Sequence, residues 1–243
     1  MNKTGLVSVS FRQHSPQEIV EKAKEADLHF IEWGSDIHVP ENDLENAKKV
    51  SEITKKAGLE VSSYGTYYRL GQNMDIVPYL ETAKVLKTDV LRIWAGVGGS
   101  AEVSAEKRAE MVKEAKDISK KAADYGMKIQ FEYHRNTLTD TVESALDLVK
   151  AVDEPNCGLY WQPQYTRSFE DNMKELDMVL PYVDIVHMFY WDNMDNRLFL
   201  SQGIEEIKAY TKKAGDKIYL LEFVPDNNIE YLKQEAESLR EVL

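Results

Sequence analysis

The chain has 243 residues, 43% of them hydrophobic, and carries 42 acidic against 30 basic side chains, a net charge of −12. A surface of that sign repels phosphate backbones and anionic lipid, which argues against nucleic-acid or membrane binding as the main role. Cys157 is the only cysteine, so no internal disulfide is possible, and neither an N-terminal apolar signal nor a run of about 18 apolar residues is present, as expected of a cytoplasmic protein.

Short runs rich in β-branched and aromatic residues predict eight strands: Leu6–Phe11, Phe30–Trp33, Glu60–Tyr64, Val90–Ala95, Lys128–Tyr133, Gly158–Gln162, Ile185–Tyr190 and Ile218–Val224. Between them, apolar residues recur at three- and four-residue spacing, the pattern of amphipathic helices. Ser15-Pro16-Gln17-Glu18 offers a capping hydroxyl, a proline preset for the first turn and a carboxylate three residues after the cap. Ser168-Phe169-Glu170-Asp171 is a looser version. Gly58, Gly126 and Gly215 each close a helical stretch just before a strand, where a left-handed residue turns the chain back. Cys157, followed by Gly158 and Leu159, reads as a buried strand residue and not a nucleophile. Eight units of roughly 30 residues each match strand–helix pairs. No linker or low-complexity segment divides residues 1–243, so the expectation is an α/β chain forming a single (β/α)8 TIM-barrel domain.

Four polar residues interrupt otherwise apolar strands: Glu132, Gln162, His187 and Glu222, separated by 30, 25 and 35 residues. In a closed barrel, side chains at equivalent strand ends converge on one mouth. Two carboxylates, an imidazole and an amide oxygen suit Mn²⁺, Mg²⁺ or Co²⁺ at least as well as Zn²⁺. A lone buried carboxylate is costly, so each glutamate requires a cation or a proton nearby. His187 alone reads as a core histidine more readily than as a ligand; the matching glutamates reverse that order. Gln162 supplies an oxygen but no charge.

Other strand ends add candidates for substrate contact. Trp94 is placed either to wall a sugar site or to line the barrel. His38 and His134 offer hydrogen bonds to substrate hydroxyls or second-layer support, and Tyr64 ends the third strand. Arg197 closes the segment Asp192-Asn-Met-Asp-Asn-Arg197, which either covers the mouth or stays solvated. Arg92 and Glu32 are expected to pair inside the barrel. Gly96-Val-Gly98-Gly99-Ser100 resembles a phosphate-cradling turn. No Gly-x-Gly-x-x-Gly follows the first strand, so nothing indicates a nicotinamide cofactor.

These motifs resemble those of the xylose-isomerase-like barrels, a group of sugar phosphate isomerases and epimerases that also includes inosose dehydratase and endonuclease IV. Phe-Glu132-Tyr-His134-Arg-Asn is similar to the first metal-ligand motif of its ketose epimerases, Val-His187-Met-Phe to the third and Leu-Leu-Glu222-Phe to the fourth. Gln162 stands where that group usually has aspartate, and Tyr165 at the offset of a missing histidine, which places Tyr165 among the substrate contacts. The resemblance implies a divalent-metal-dependent isomerase or epimerase of a sugar or sugar phosphate. Glu132 and Glu222 would be its catalytic pair, exchanging a proton through an enediolate. An inosose-type dehydratase differs only in that a hydroxyl leaves, and is the nearest alternative. A non-catalytic sugar-binding barrel is another, supported by Gln162. DNA repair of the endonuclease IV type needs a histidine-rich three-metal cluster, and the chain has five histidines in all. The expected partner is a small sugar or polyol; barrels of this group often pair, which leaves a homodimer open.

Overall fold

The computed structural model describes residues 3–193 and 196–243. Capping chemistry starts the helices where the sequence places it. The Glu18 N–H donates to the Ser15 hydroxyl and the Ser15 N–H donates to the Glu18 carboxylate at 2.7 Å, which opens α1 (Pro16–Glu25). Ser168 caps the helix at Phe169–Val179 in the same way through the Asp171 N–H.

Among the described residues, eight parallel strands close in chain order into a barrel. They are β1 (Thr4–Val7), β2 (Phe30–Gly34), β3 (Glu60–Arg69), β4 (Val90–Trp94), β5 (Lys128–Phe131), β6 (Cys157–Trp161), β7 (Val183–Met188) and β10 (Ile218–Leu221), which returns to pair with β1. After α1, the helices alternating with them are α2 (Leu44–Lys56), α3 (Val77–Leu86), α4 (Ala105–Asp124), α5 (Val142–Val152), α6 (Phe169–Val179), α7 (Ile204–Ala214) and α8 (Leu232–Glu241). A short antiparallel hairpin, β8 (Tyr190–Asn193) with β9 (Asn196–Leu198), lies between β7 and α7 and pairs Trp191 with Arg197. The sequence predicts a loop here; Met194 and Asp195 lie outside the described residues.

Two other boundaries differ from expectation. The first strand stops at Val7 and the chain turns through a 3-10 segment at Ser8–Phe11. Its serines explain the turn: Ser8 Oγ accepts the Gly34 N–H at 2.9 Å and Ser10 Oγ accepts the Phe223 N–H at 2.8 Å. The third strand runs on to Arg69, with a register shift against β4 between Gly65 and Arg69.

Period-two alternation sorts each strand into an outward residue under the helices and an inward one. Val7, Val90, Tyr160, Ile185 and Leu220 form a small apolar cluster of their own. Two residues further along four of these strands stand Arg92, Gln162, His187 and Glu222, so a polar layer sits above an apolar floor. Cys157 opens β6 with its thiol pushed up to about 12 by burial, as befits an unreactive strand residue.

A buried carboxylate outside the barrel gives the fold a pH dependence. Glu235 on α8 accepts the Leu200 N–H at 3.1 Å, and burial pushes it up to about 7. A folded value above the unfolded one means full stability below about pH 4.5, lost as pH rises through 7. The loss is about 3 kcal/mol at 1.36 kcal/mol per unit. Glu235→Gln keeps the acceptor and removes the titration. Its melting temperature, measured against wild type, is expected to gain steadily across that window; a constant difference would refute the assignment.

Candidate active site

The polar layer is built from one residue per strand. On β2, Glu32 is fully buried and accepts the Ser63 and Tyr160 hydroxyls, each at 2.8 Å. On β4, Arg92 donates from Nε to Glu32 at 2.9 Å and from Nη1 to Glu132. Glu132 and Glu222 sit one residue past the ends of β5 and β10, yet the ladder still holds them, through Glu132 N–H to Ile93 C=O at 3.0 Å and Glu222 N–H to Met188 C=O at 3.1 Å. His187 on β7 lies between carboxylates, 3.4 Å from Glu222 and 3.7 Å from Glu32. The Tyr160 ring meets it edge-on at 4.9 Å.

Gly65 makes room for this network. A methyl group there would lie 2.6 Å from Glu32 Oε1 and 2.7 Å from Arg92 Nη2. Gly65→Ala is therefore expected to cost about 1–3 kcal/mol, read by denaturant unfolding, because both neighbours are pinned. An unchanged midpoint would mean that the pair is free to move.

Charge sets the character of the site. Burial would raise Glu32, but the Arg92 guanidinium, with His187 and the Ser63 hydroxyl, holds it well below the usual carboxylate range. Burial would also lower His187; Glu222 and Glu32 outweigh it and push the imidazole up to about 10. Glu222 follows the same logic: burial raises it, and His187 and Arg92 bring it below its ordinary value.

The donor set fits a divalent cation on three grounds. Ligand atoms of Glu132, His187 and Glu222 lie within 4.8 Å of one another. Among the described residues, neither ring nitrogen of His187 nor the buried Oε1 of Gln162 has a hydrogen-bond partner. Three carboxylates and one guanidinium sum to −2 once a cation on His187 displaces the proton the imidazole carries without it, and a divalent ion would cancel that charge.

A cavity of about 280 Å³ opens on this layer, lined by Glu132, Gln162 and Glu222 together with His134, Tyr165, Trp191, Arg197 and Phe223. Of the residues expected at the substrate, His134, Tyr165 and Arg197 line it. The others do not. Tyr64 is buried in the outer core with its hydroxyl donating to Val39 C=O at 2.7 Å, because Ser63 takes the inward position. His38 is buried too, its Nδ1 3.0 Å from Ser8 Oγ and its Nε2 3.1 Å from His14 C=O. Trp94 stands one layer back, 4.6 Å edge-on from His134 and under the Arg69 guanidinium at 4.1 Å. The glycine turn cradles no phosphate: the Gly99 and Ser100 N–H groups donate to Glu102 at 3.2 Å and Asp140 at 3.0 Å, so carboxylates already fill it. The sequence reading missed Arg135, Trp191 and Phe223. Phe223, next to Glu222, has a left-handed backbone (φ 50°), a strained conformation that the Ser10 hydrogen bond helps to hold.

A model of the xylose isomerase-like TIM barrel family matches residues 20–242. A 3-dehydroshikimate dehydratase of Bacillus anthracis is 32% identical over 165 residues, 63% of this chain and 59% of that one, so the match spans under two thirds of the relative. The crystal structure of the probable 3-DHS dehydratase involved in petrobactin synthesis from Bacillus anthracis superposes with a TM-score of 0.83 at 24% identity, covering 99% of each chain. A xylose isomerase-like TIM barrel protein from Mycobacterium smegmatis in complex with magnesium superposes at 0.71 and 12% identity, covering 100% of this chain and 98% of that one. With the family match covering nearly the whole barrel, the chain belongs to the xylose isomerase-like TIM barrel family.

Proposed function

We propose that the protein is a divalent-metal-dependent dehydratase acting on a cyclic hydroxy-ketone acid, of the 3-dehydroshikimate type. The observation that carries this reading is the meeting of ligand atoms of Glu132, His187 and Glu222 within 4.8 Å, with both glutamates lining the cavity. The 32% identity to a 3-dehydroshikimate dehydratase favours loss of water over the isomerase or epimerase chemistry first expected.

Such a substrate is a ring ketone with hydroxyls on the two following carbons. A Mg²⁺, Mn²⁺, Co²⁺ or Zn²⁺ ion held by Glu132, Gln162, His187 and Glu222 would supply Lewis-acid polarisation of the ketone. One of the two glutamates accepts the proton from the carbon beside the ketone. The C–O bond of the next carbon breaks, a C=C bond forms between the two carbons, and the departing oxygen takes that proton and leaves as water. A second ring proton is then lost to a glutamate and delivered to the ketone oxygen, completing the aromatic ring. Arg92 holds the Glu132 carboxylate in place throughout, and the apolar floor excludes water from below.

The test is turnover of 3-dehydroshikimate, followed by the ultraviolet absorbance of the dihydroxybenzoate formed, beside a panel of ketoses scored for epimerisation. Dehydration that falls by at least about 10²-fold after chelation, and returns with added metal, is expected. Epimerisation of a ketose without dehydration would overturn the reading.

A further inference from the structure

Arginine and lysine occupy different parts of this barrel. All 22 lysines lie on helices, at helix ends or at the N-terminal ends of strands. Six of the eight arginines, Arg12, Arg69, Arg92, Arg135, Arg167 and Arg197, lie instead in the C-terminal halves of barrel strands or in the segments that follow them. Lysine suffices for a solvated helix face, whereas the planar guanidinium fork matches a carboxylate with two parallel hydrogen bonds. Of the six, Arg12, Arg92 and Arg167 pair with carboxylates of the chain, namely Asp36, Glu32 with Glu132, and Glu175, so a preference for an anion falls to the arginines at the cavity.

Two of these arginines, Arg135 and Arg197, line the cavity that holds Glu132, Gln162 and Glu222. Arg197 lies 4.6 Å from the Phe223 ring centre and 5.1 Å from that of Trp191, its partner across the hairpin, and it donates to Asn227 Oδ1. Arg135 donates to the Tyr165 hydroxyl at 3.2 Å, and the Tyr165 ring lies 5.8 Å from Trp191. Tyr165, Trp191 and Phe223 thus form a run of aromatic rings. Stacking on Trp191 and Phe223 orients the Arg197 fork and the Tyr165 hydroxyl orients that of Arg135 before any ligand arrives, which reduces the entropy lost on binding. A cavity of about 280 Å³ has room for one substituted ring.

We propose that Arg135 and Arg197 determine specificity by gripping the carboxylate of a flat ring substrate. The ring lies against Tyr165, Trp191 and Phe223, and its keto and hydroxyl oxygens face Glu132, Gln162 and Glu222. The identity of that ring rests on the dehydratase reading; the preference for a carboxylate does not.

Calorimetric titration in the presence of Mg²⁺, with 3,4-dihydroxybenzoate and with catechol, separates the two. Wild type is expected to bind the acid about 10- to 100-fold more tightly than catechol. Arg135→Gln and Arg197→Gln are each expected to lose about tenfold in affinity for the acid and to bind catechol as wild type does, which also shows that the site is intact. Equal affinity of wild type for the two compounds, absence of binding included, overturns the proposal, as do variants that bind the acid like wild type. Turnover of 3-dehydroshikimate reads the dehydratase assignment separately. No turnover, with the preference for the acid retained, removes that assignment and leaves the arginine pair; turnover with an unchanged KM in the double variant does the reverse.

Discussion

Glu222→Gln and Glu132→Gln are each expected to lower kcat/KM for the dehydration by at least about 10³-fold. The substitution keeps the side-chain shape and removes two things together: the atom that accepts the substrate proton and one negative charge of the cation site. General acid–base catalysis alone accounts for 10²–10⁴-fold in typical enzymes. The charge change takes the described network from −2 to −1, so metal content after desalting is expected to fall as well. Stability is expected to fall with it. Both carboxylates are buried beside cations, Glu222 beside His187 and Arg92 and Glu132 beside Arg92, so neutralising either removes an attraction. The melting temperature of the metal-free variants is therefore expected to lie below that of metal-free wild type. Turnover within tenfold of wild type in both variants would sink the proposed chemistry.

These two glutamates were legible in the sequence because each is a charge in a run of apolar residues, and period-two alternation fixes the face it shares. His187 was legible by the same rule, and Arg92 and Glu32 as a pair that neither could do without. The barrel itself followed from repeated local signals, such as the Ser15 capping box and the glycines at 58, 126 and 215, because each acts within a few residues. What failed depended on register between distant strands. The sequence pattern ends the third strand at Tyr64, yet β3 continues to Arg69 and presents Ser63, not Tyr64, to the interior. Trp94 alternates inward with Arg92, but the cavity is walled mainly by residues that follow β5, β6, β7 and precede the end of the hairpin, so the indole packs behind His134. The Gly96–Ser100 turn has the backbone of an anion site, but Glu102 and, 40 residues downstream of Ser100, Asp140 already occupy it with carboxylates of the chain. Arg135 carries no local signal beside His134. Its signal was available in the distribution of arginine against lysine along the chain, a pattern visible only once the strand ends are known.

Arg92→Ala is expected to destabilise the fold by about 3–5 kcal/mol at neutral pH, measured by denaturant unfolding of the metal-free protein. The cost comes from what remains. Glu32 would keep the Ser63 and Tyr160 hydroxyls but lose the guanidinium that offsets its burial, and Glu132 would lose its partner as well. Replacing the pair together, as Arg92→Met with Glu32→Gln, is expected to recover most of the loss, since a neutral buried side chain with two hydroxyl donors needs no cation. The pH dependence gives a second signature. In wild type Glu32 is held below its unfolded value, so its contribution is present at neutral pH and is lost as pH falls through the folded value. In Arg92→Ala, burial is opposed only by His187 and the Ser63 and Tyr160 hydroxyls, so Glu32 rises and the variant loses less stability than wild type as pH falls from neutral. The gap between the two proteins should therefore be widest at neutral pH and narrow in mild acid. A gap that is small, or that widens in acid, would show that Arg92 does not carry the charge balance of the barrel interior.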